Sequence, residues 1–220
     1  MKSVIFDMDG VLVDSEVVNI ALLIEYLGQL GLSVPRQVIL QYIGAPSEPF
    51  WECVGKLNPG IDIQRARDGY LSYRQRQRIC YREILYPGVR ELLLGLRKAG
   101  FRIGLASSTA RKTVVDILEQ CSISDLFDVE VCGDEVEHGK PAPDIFLRAA
   151  ALLGAEPGEC VVVEDSQRGV HAGRAAGMKV IGKEDARFCQ ELLEADVTVD
   201  RTGKVTVRLI DSLLESGETG

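Results

Sequence analysis

Two aspartates stand two residues apart after the first apolar segment, in the stretch VIFDMDGVLVDSE at residues 4–16. Residues i and i+2 of a strand share a face, so Asp7 and Asp9 can converge on one point near the end of that strand. Two carboxylates held so close repel each other unless a positive charge lies beside them. Mg²⁺ supplies such a charge and prefers carboxylates, water and phosphate oxygens as ligands. The spacing therefore indicates an acidic site for a hard cation.

Further polar residues stand at the ends of later apolar segments. Ser107 ends FRIGLAS, and Glu164 and Asp165 end CVVVED. Lys140 lies in the loop HGKPAP, where two prolines restrict the backbone. In open α/β sheets the ligand site lies outside the carboxyl ends of the strands. The pattern predicts a Mg²⁺ site beside a phosphate cradle, formed by Asp7, Asp9, Ser107, Ser108, Lys140, Glu164 and Asp165.

A parallel sheet is needed to bring these strand ends together. From Tyr86 onward helical segments alternate with continuous apolar segments at 101–107, 129–133, 160–165 and 178–182, and a shorter one lies at 195–199. Such repeats are typical of a parallel sheet that is covered by helices on both faces. The sequence therefore predicts an α/β fold with a Rossmann-like parallel sheet core.

The segment after the first strand has a different character. It shows helical patterns at 15–31, 36–43, 47–57 and 62–79, separated by proline and glycine. We therefore predict an all-helical cap at 15–81, inserted into a catalytic core formed by 1–14 and 82–220.

Composition narrows the classes of partner. The net charge of −8 and the isoelectric point near 4.9 argue against nucleic acid, although an acidic protein can still hold a local cationic pocket. The segment that follows Lys2 and Ser3 does not resemble a secretory signal, and no apolar stretch is long enough to cross a membrane. The six cysteines are scattered, as expected for reduced thiols. We expect a cytoplasmic monomer.

Four segments, in order, resemble the motifs of the haloacid dehalogenase superfamily. They are DMDGVLVDSE, LASST, GKPAPDIF and VVVEDSQRGVHAGRAAGM. The likeness covers nearly the whole chain and points to the branch of beta-phosphoglucomutases and small-metabolite phosphatases. The resemblance implies that Asp7 attacks phosphorus to form an aspartyl-phosphate and that Asp9 is the acid and base. It also implies that Ser107 and Lys140 hold the phosphoryl group, and that Mg²⁺ is bound by Asp7, the backbone carbonyl of Asp9, Asp165 and Glu164.

The resemblance leaves two kinds of phosphoryl transfer open. Sugar-phosphate mutases of this branch carry a histidine where Asn19 stands, an arginine near Gly44–Ser47 and a lysine near Gly69. These departures favour a Mg²⁺-dependent phosphatase that acts on a small phosphorylated metabolite, a sugar or sugar-acid phosphate. A beta-phosphoglucomutase-like mutase is the alternative. Asn19 and Ser47 are candidate substrate contacts in the cap.

Individual side chains bear on the alternative functions. The acid Asp9 argues against a dehalogenase, which needs no acid for its leaving group. A receiver-like phospho-aspartate switch without turnover is an alternative of another class, although the inserted cap and Asp9 argue against it. Ser108 and Thr109 are interpreted as caps of the following helix. A basic run is interpreted as a solvated helix face from which one arginine could contact a substrate anion: Arg74, Arg76, Arg78 and Arg82.

Overall fold

The computed structural model describes residues 2–42, 47–188 and 191–216. The chain divides into two compact units. The larger unit comprises Met1–Asp14, Tyr81–Ala186 and Gln190–Gly220. The smaller unit comprises Ser15–Cys80 and Arg187–Cys189.

A six-stranded sheet forms the centre of the larger unit, and every neighbouring pair of its strands is parallel. The strands are apolar and buried because helices pack on the sheet. Their order is β3-β2-β1-β4-β5-β6, so β1 lies between β2 and β4. The predicted α/β fold is confirmed. The strands are β1 Ser3–Phe6, β2 Arg102–Ser107, β3 Val129–Cys132, β4 Cys160–Glu164, β5 Lys179–Lys183 and β6 Val197–Val199.

The regular elements described in the smaller unit are helices: α1 Ser15–Gln29, α2 Arg36–Gln41, α3 Ser47–Leu57 and α4 Ile63–Gln75. An aromatic cluster that includes Tyr26, Phe50 and Trp51 forms the core of this unit. The helix α4 ends earlier than the predicted 79, because the run from Arg74 to Arg78 has no apolar residue to bury. The predicted position of a cap arginine, Gly44–Pro46, lies outside the described residues.

Five helices are described in the larger unit: α5 Val89–Lys98, α6 Arg111–Cys121, α7 Asp144–Leu153, α8 Gln167–Ala175 and α9 Val207–Glu215. The sequence analysis did not predict α9. The hydroxyl of Thr206 caps this helix by accepting from the backbone N–H of Leu209, and Ile210 and Leu214 bury its apolar face. Among the described residues, no helix combines the length and apolar character required to cross a membrane.

The chain leaves and re-enters the larger unit along two paired segments. The backbone N–H of Asp14 donates to the carbonyl of Ile84 (2.7 Å), and that of Tyr86 donates to the carbonyl of Leu12 (2.9 Å). The buried hydroxyl of Thr202 donates to the carbonyl of Val11 (2.6 Å). These bonds hold the turn that follows Asp7 against the rest of the unit.

Candidate active site

Three charged side chains meet at the carboxyl ends of β1 and β4. The ammonium group of Lys140 donates to Oδ1 of Asp7 (2.5 Å), to Oε1 of Glu164 (2.7 Å) and to the carbonyl of Ala106 (3.1 Å). All three charged side chains are buried, with 9% or less of each exposed. Because a lysine ammonium has three N–H donors, these contacts use all of them.

The loop before α7 delivers Lys140 to this position. Its peptide bond to Pro141 is cis, and its backbone carbonyl accepts from the guanidinium of Arg168 in α8. The ammonium also lies 4.9 Å from the ring centroid of Phe146 in α7. The lysine is therefore held at both its backbone and its side chain.

The carboxylate of Glu164 is fixed on its other side by the start of α8. Its Oε2 accepts from the backbone N–H (2.7 Å) and the hydroxyl (2.9 Å) of Ser166. The helix approaches it so closely at Gly169 that a Cβ there would lie 1.7 Å from Oε1. The structure thus places Glu164, predicted as a metal ligand, in contact with Lys140 and Ser166.

Burial and charge change the protonation of this group of residues. Burial, together with the neighbouring carboxylates Glu164 and Asp9, raises the pKa of Asp7 to about 8 against the opposing effect of Lys140. Burial alone would lower the pKa of Lys140, but the carboxylates of Asp7 and Glu164 raise it overall. Ionisation of Asp7 is therefore unfavourable in this buried group unless further positive charge lies beside it.

The second aspartate contacts the loop after β2. The hydroxyl of Thr109 donates to Oδ2 of Asp9 (2.8 Å), and the backbone N–H of Thr109 donates to Oγ of the buried Ser107 (3.1 Å). Ser108 is exposed. The interpretation of Ser108 and Thr109 as helix caps is wrong, because α6 begins after Ala110 without a side-chain cap.

Asp165 lies against the turn that follows the first strand. Gly10 has a φ of 73°, and a Cβ there would lie 1.8 Å from Oδ2 of Asp165. The carboxylates of Asp7, Asp9, Glu164 and Asp165 thus belong to the two neighbouring strand ends, where Lys140 contacts two of them. This donor set has the chemistry of a site for a hard cation. Over the described ranges, no three or more His, Cys, Asp or Glu side chains are already grouped as metal ligands.

A cavity of about 350 Å³ lies in the smaller unit. Its lining includes Asn19 and Ser47, the two candidate substrate contacts, together with Glu16, Tyr70 and Arg74. Of the four arginines in the basic run, Arg74 is the one among the lining residues. The sequence pattern could not distinguish it from Arg76 and Arg78, because these three arginines lie in one polar run.

The position of the missing mutase lysine has a packing explanation. A Cβ at Gly69 would lie 2.2 Å from the hydroxyl oxygen of Tyr26. That hydroxyl donates to the carbonyl of Ala66 (2.9 Å), which ties α1 to α4. A side chain at Gly69 would therefore displace Tyr26.

Comparison with known proteins identifies the family. Residues 4–183 match the family described as haloacid dehalogenase-like hydrolase. The chain belongs to this family. The family assignment made from the four motifs is thereby confirmed.

Relatives of the chain carry out different phosphoryl transfers. The chain is 31% identical over 217 residues to the beta-phosphoglucomutase of Bacillus subtilis, covering 96% of this chain and 94% of the relative. It is 31% identical over 185 residues to the phosphorylated carbohydrates phosphatase of Thermotoga maritima, covering 82% and 84%. It spans only 18% of a plant relative, the protein SUPPRESSOR OF QUENCHING 1 of Arabidopsis thaliana.

A solved structure of the family is similar over almost the whole chain. It is a HAD family hydrolase from Deinococcus radiodurans with bound phosphate and sodium. The two share a TM-score of 0.76 and 25% sequence identity, with 97% of each chain covered. The fold of the chain is therefore that of a haloacid dehalogenase-like enzyme.

Proposed function

We propose that the protein is a Mg²⁺-dependent phosphatase that hydrolyses a small phosphorylated metabolite, a sugar or sugar-acid phosphate. The observation that carries the proposal is the buried contact of Lys140 with both Asp7 and Glu164 at two strand ends. A carboxylate beside an ammonium can attack a phosphoryl group whose charge the ammonium neutralises. Membership of a hydrolase family and the phosphatase among the relatives support this reaction.

Asp7 is the nucleophile of the proposed reaction. Its carboxylate oxygen bonds to phosphorus while the bond from phosphorus to the leaving oxygen breaks, and an aspartyl-phosphate forms. Asp9 gives its proton to the leaving oxygen. Water then attacks phosphorus and gives a proton to Asp9, and the bond from phosphorus to Asp7 breaks, so that inorganic phosphate leaves. Ser107 and the backbone amide of Ser108 hold the phosphoryl oxygens, and the ammonium of Lys140 beside Asp7 neutralises their charge.

The donor set of the site fits Mg²⁺. The ion keeps several waters and needs only one or two protein carboxylates beside the substrate phosphate. Asp7, Asp165 and the backbone carbonyl of Asp9 are the groups that would hold it. Glu164 was predicted as a ligand too, but both of its oxygens already accept hydrogen bonds, so we assign it the support of Lys140. When bound, Mg²⁺ neutralises charge on the transferring phosphoryl group.

Phosphate release from a panel of sugar and sugar-acid phosphates tests the proposal, with Mg²⁺ or with EDTA. The variant Asp7→Asn keeps the shape of the nucleophile and removes its charge. Asp200→Asn is the matched control, because Asp200 is exposed and forms an ion pair with the nearby Lys204. We expect turnover that requires Mg²⁺, a loss of about 10³-fold or more in Asp7→Asn and no loss in the control. Turnover that persists in EDTA or in Asp7→Asn contradicts the mechanism.

The same panel separates the alternatives. The beta-phosphoglucomutase relative supports a mutase as the second candidate. Interconversion of a hexose 1-phosphate in the presence of a bisphosphate primer, without phosphate release, would identify that reaction. A stable acyl-phosphate on Asp7 without turnover would identify the receiver-like switch.

We further propose that residues 15–81 are the cap that selects the substrate. The cavity that Asn19, Ser47 and Arg74 line supports this role, because it combines hydrogen-bonding groups and a cation with an apolar lining. The substitution Asn19→Ala is expected to change the order of preference among the panel substrates. An unchanged order would count against a substrate contact by Asn19.

A further inference from the structure

The side chain of Thr109 connects the loop after β2 to the acid of the first motif. Its hydroxyl donates to Oδ2 of Asp9 at 2.8 Å, across a separation of 100 residues in sequence. Thr109 is the last residue of the second motif, LASST, but the predicted phosphate cradle does not include its side chain. The hydroxyl of Thr109 therefore contacts the acid of the proposed mechanism, Asp9, although the mechanism gives Thr109 itself no role.

The backbone fixes Thr109 on both sides. Its N–H donates to Oγ of Ser107 (3.1 Å), and its carbonyl accepts from the N–H of Gly133 (3.2 Å). The carbonyl of Ser108 approaches Gly133 so closely that a Cβ there would lie 2.1 Å from it. A β-branched side chain on such a fixed backbone has few rotamers available. The position of the hydroxyl is therefore determined by the end of β2 and by the turn after β3.

A carboxyl group can rotate about its last torsion, so its two oxygens are interchangeable unless a neighbour distinguishes them. A hydroxyl that donates to one oxygen fixes the plane of the group, and a hydrogen bond to a charged acceptor is stronger than a neutral one. In Asp9 the bond from Thr109 selects Oδ2 as the anchored oxygen. Proton exchange is then assigned to Oδ1.

We propose that Thr109 is a positioning residue that orients the carboxyl group of Asp9 for proton transfer to the leaving oxygen and from the attacking water. This inference rests on the proposed phosphatase function. In the first half-reaction the proton on Oδ1 of Asp9 moves to the leaving oxygen as its bond to phosphorus breaks. In the second, water returns a proton to Oδ1 as its oxygen bonds to phosphorus.

The experiment compares Thr109→Val with Thr109→Ser. Valine has the shape of threonine without the hydroxyl, and serine keeps the hydroxyl. Each variant and the wild type are assayed with para-nitrophenyl phosphate and with the best sugar phosphate of the panel. The nitrophenolate leaves without a proton, whereas a sugar alkoxide requires one, so only the second substrate depends on the acid.

We expect Thr109→Val to lower kcat/KM for the sugar phosphate by about 10- to 100-fold and to leave that for para-nitrophenyl phosphate within about 3-fold. Thr109→Ser should restore most of the loss. In an Asp9→Asn background, Thr109→Val should add no further loss, because the residue acts through Asp9. Unchanged circular dichroism verifies that the variants are folded.

Other outcomes overturn the inference. Equal losses in kcat/KM for both substrates, with KM unchanged, would assign Thr109 a structural role, and a KM raised equally for both would assign it a direct phosphate contact. Full activity of Thr109→Val would show that the hydrogen bond has no part in the reaction. A wild type that hydrolyses neither substrate would overturn the proposed function itself, which distinguishes that failure from failure of the inference.

Discussion

The substitution Gly169→Ala tests whether the carboxylate of Glu164 is fixed in the structure. Gly169 is a buried residue within α8, and alanine is the better helix former. A Cβ at this position would lie 1.7 Å from Oε1 and 1.9 Å from Cδ of Glu164. Glu164 is 1% exposed and holds both Lys140 and Ser166, so the carboxylate cannot move without breaking these contacts.

Gly95 provides the matched control. It lies within α5, and a Cβ there would meet nothing within 4 Å. Alanine should therefore stabilise the protein at this position by about 0.5–1 kcal/mol through helix propensity alone. The difference in the free energy of unfolding between Gly169→Ala and Gly95→Ala measures the cost of displacing Glu164, because both substitutions replace a helical glycine with alanine.

The expected cost at Gly169 is large. Adding a methyl group to a packed interior costs about 1–3 kcal/mol, and breaking a buried ion pair costs about 3–5 kcal/mol. With the gain in helix propensity subtracted, Gly169→Ala should lower the free energy of unfolding by about 3–7 kcal/mol. For a chain of this length the melting temperature should fall by about 6–28 °C.

Thermal unfolding followed by circular dichroism measures the effect, since it reports on the whole chain. We expect Gly95→Ala to melt a few degrees above the wild type and Gly169→Ala to melt well below it. Phosphatase activity of Gly169→Ala should also fall, by about 10²-fold, because Lys140 loses its position. A Gly169→Ala variant as stable as Gly95→Ala would refute the reasoning, since it would mean that Glu164 can move freely.

Further predictions concern protonation and packing. In metal-free protein, Asp7→Asn should raise the melting temperature, and the difference should widen as pH rises from about 4 to about 8. The folded wild type keeps this carboxyl protonated up to its pKa of about 8, whereas the unfolded chain ionises it above about 3.9, so rising pH favours unfolding of the wild type alone. A difference that does not change with pH contradicts this. The hydrogen bonds from Arg111 hold the pKa of Glu135 at about 2. Glu135→Gln should therefore lower the free energy of unfolding, measured by urea denaturation at neutral pH, by about 1–2 kcal/mol. This loss should shrink as pH falls from about 4.3 towards 2, because the wild-type carboxylate is then protonated. Gly69→Ala should lower the melting temperature although alanine favours a helix, because the added Cβ clashes with the hydroxyl of Tyr26. Tyr26→Phe removes that hydroxyl, so the double variant should recover stability. Losses of melting temperature that simply add in the double variant would refute this contact.

The sequence was sufficient to predict the sheet, because its strands are continuous apolar segments. Asp7, Ser107 and Glu164 each follow or end such a segment, and parallel strands end at the same edge of a sheet. The prediction that these residues lie near one another needed nothing more. The order of the strands was not predictable, because it depends on pairing between segments as distant as β1 and β4, and the sequence pattern of each strand is alike.

The contacts within the site were beyond sequence reasoning. The motifs predicted Glu164 as a metal ligand beside Asp165. Whether its carboxylate points to a metal or to Lys140 depends, however, on the packing of α8. The glycine that allows this packing, Gly169, lies within a helix, where propensity alone makes glycine unfavourable. The hydroxyl of Thr109 was assigned to a helix cap, because local sequence shows a cap residue but does not show a partner 100 residues away.

The two partners of Lys140 have different parts in the proposed reaction. When Asp7 carries the phosphoryl group it no longer has a carboxylate charge, so its attraction for the ammonium changes during each turnover. Glu164 keeps its charge throughout, because its oxygens are held by Lys140 and Ser166 and do not react. A lysine held by Asp7 alone would lose the contact that positions its ammonium once Asp7 is bonded to phosphorus, whereas Glu164 holds it in place at every step. The second carboxylate is therefore what allows one buried ammonium to serve both half-reactions.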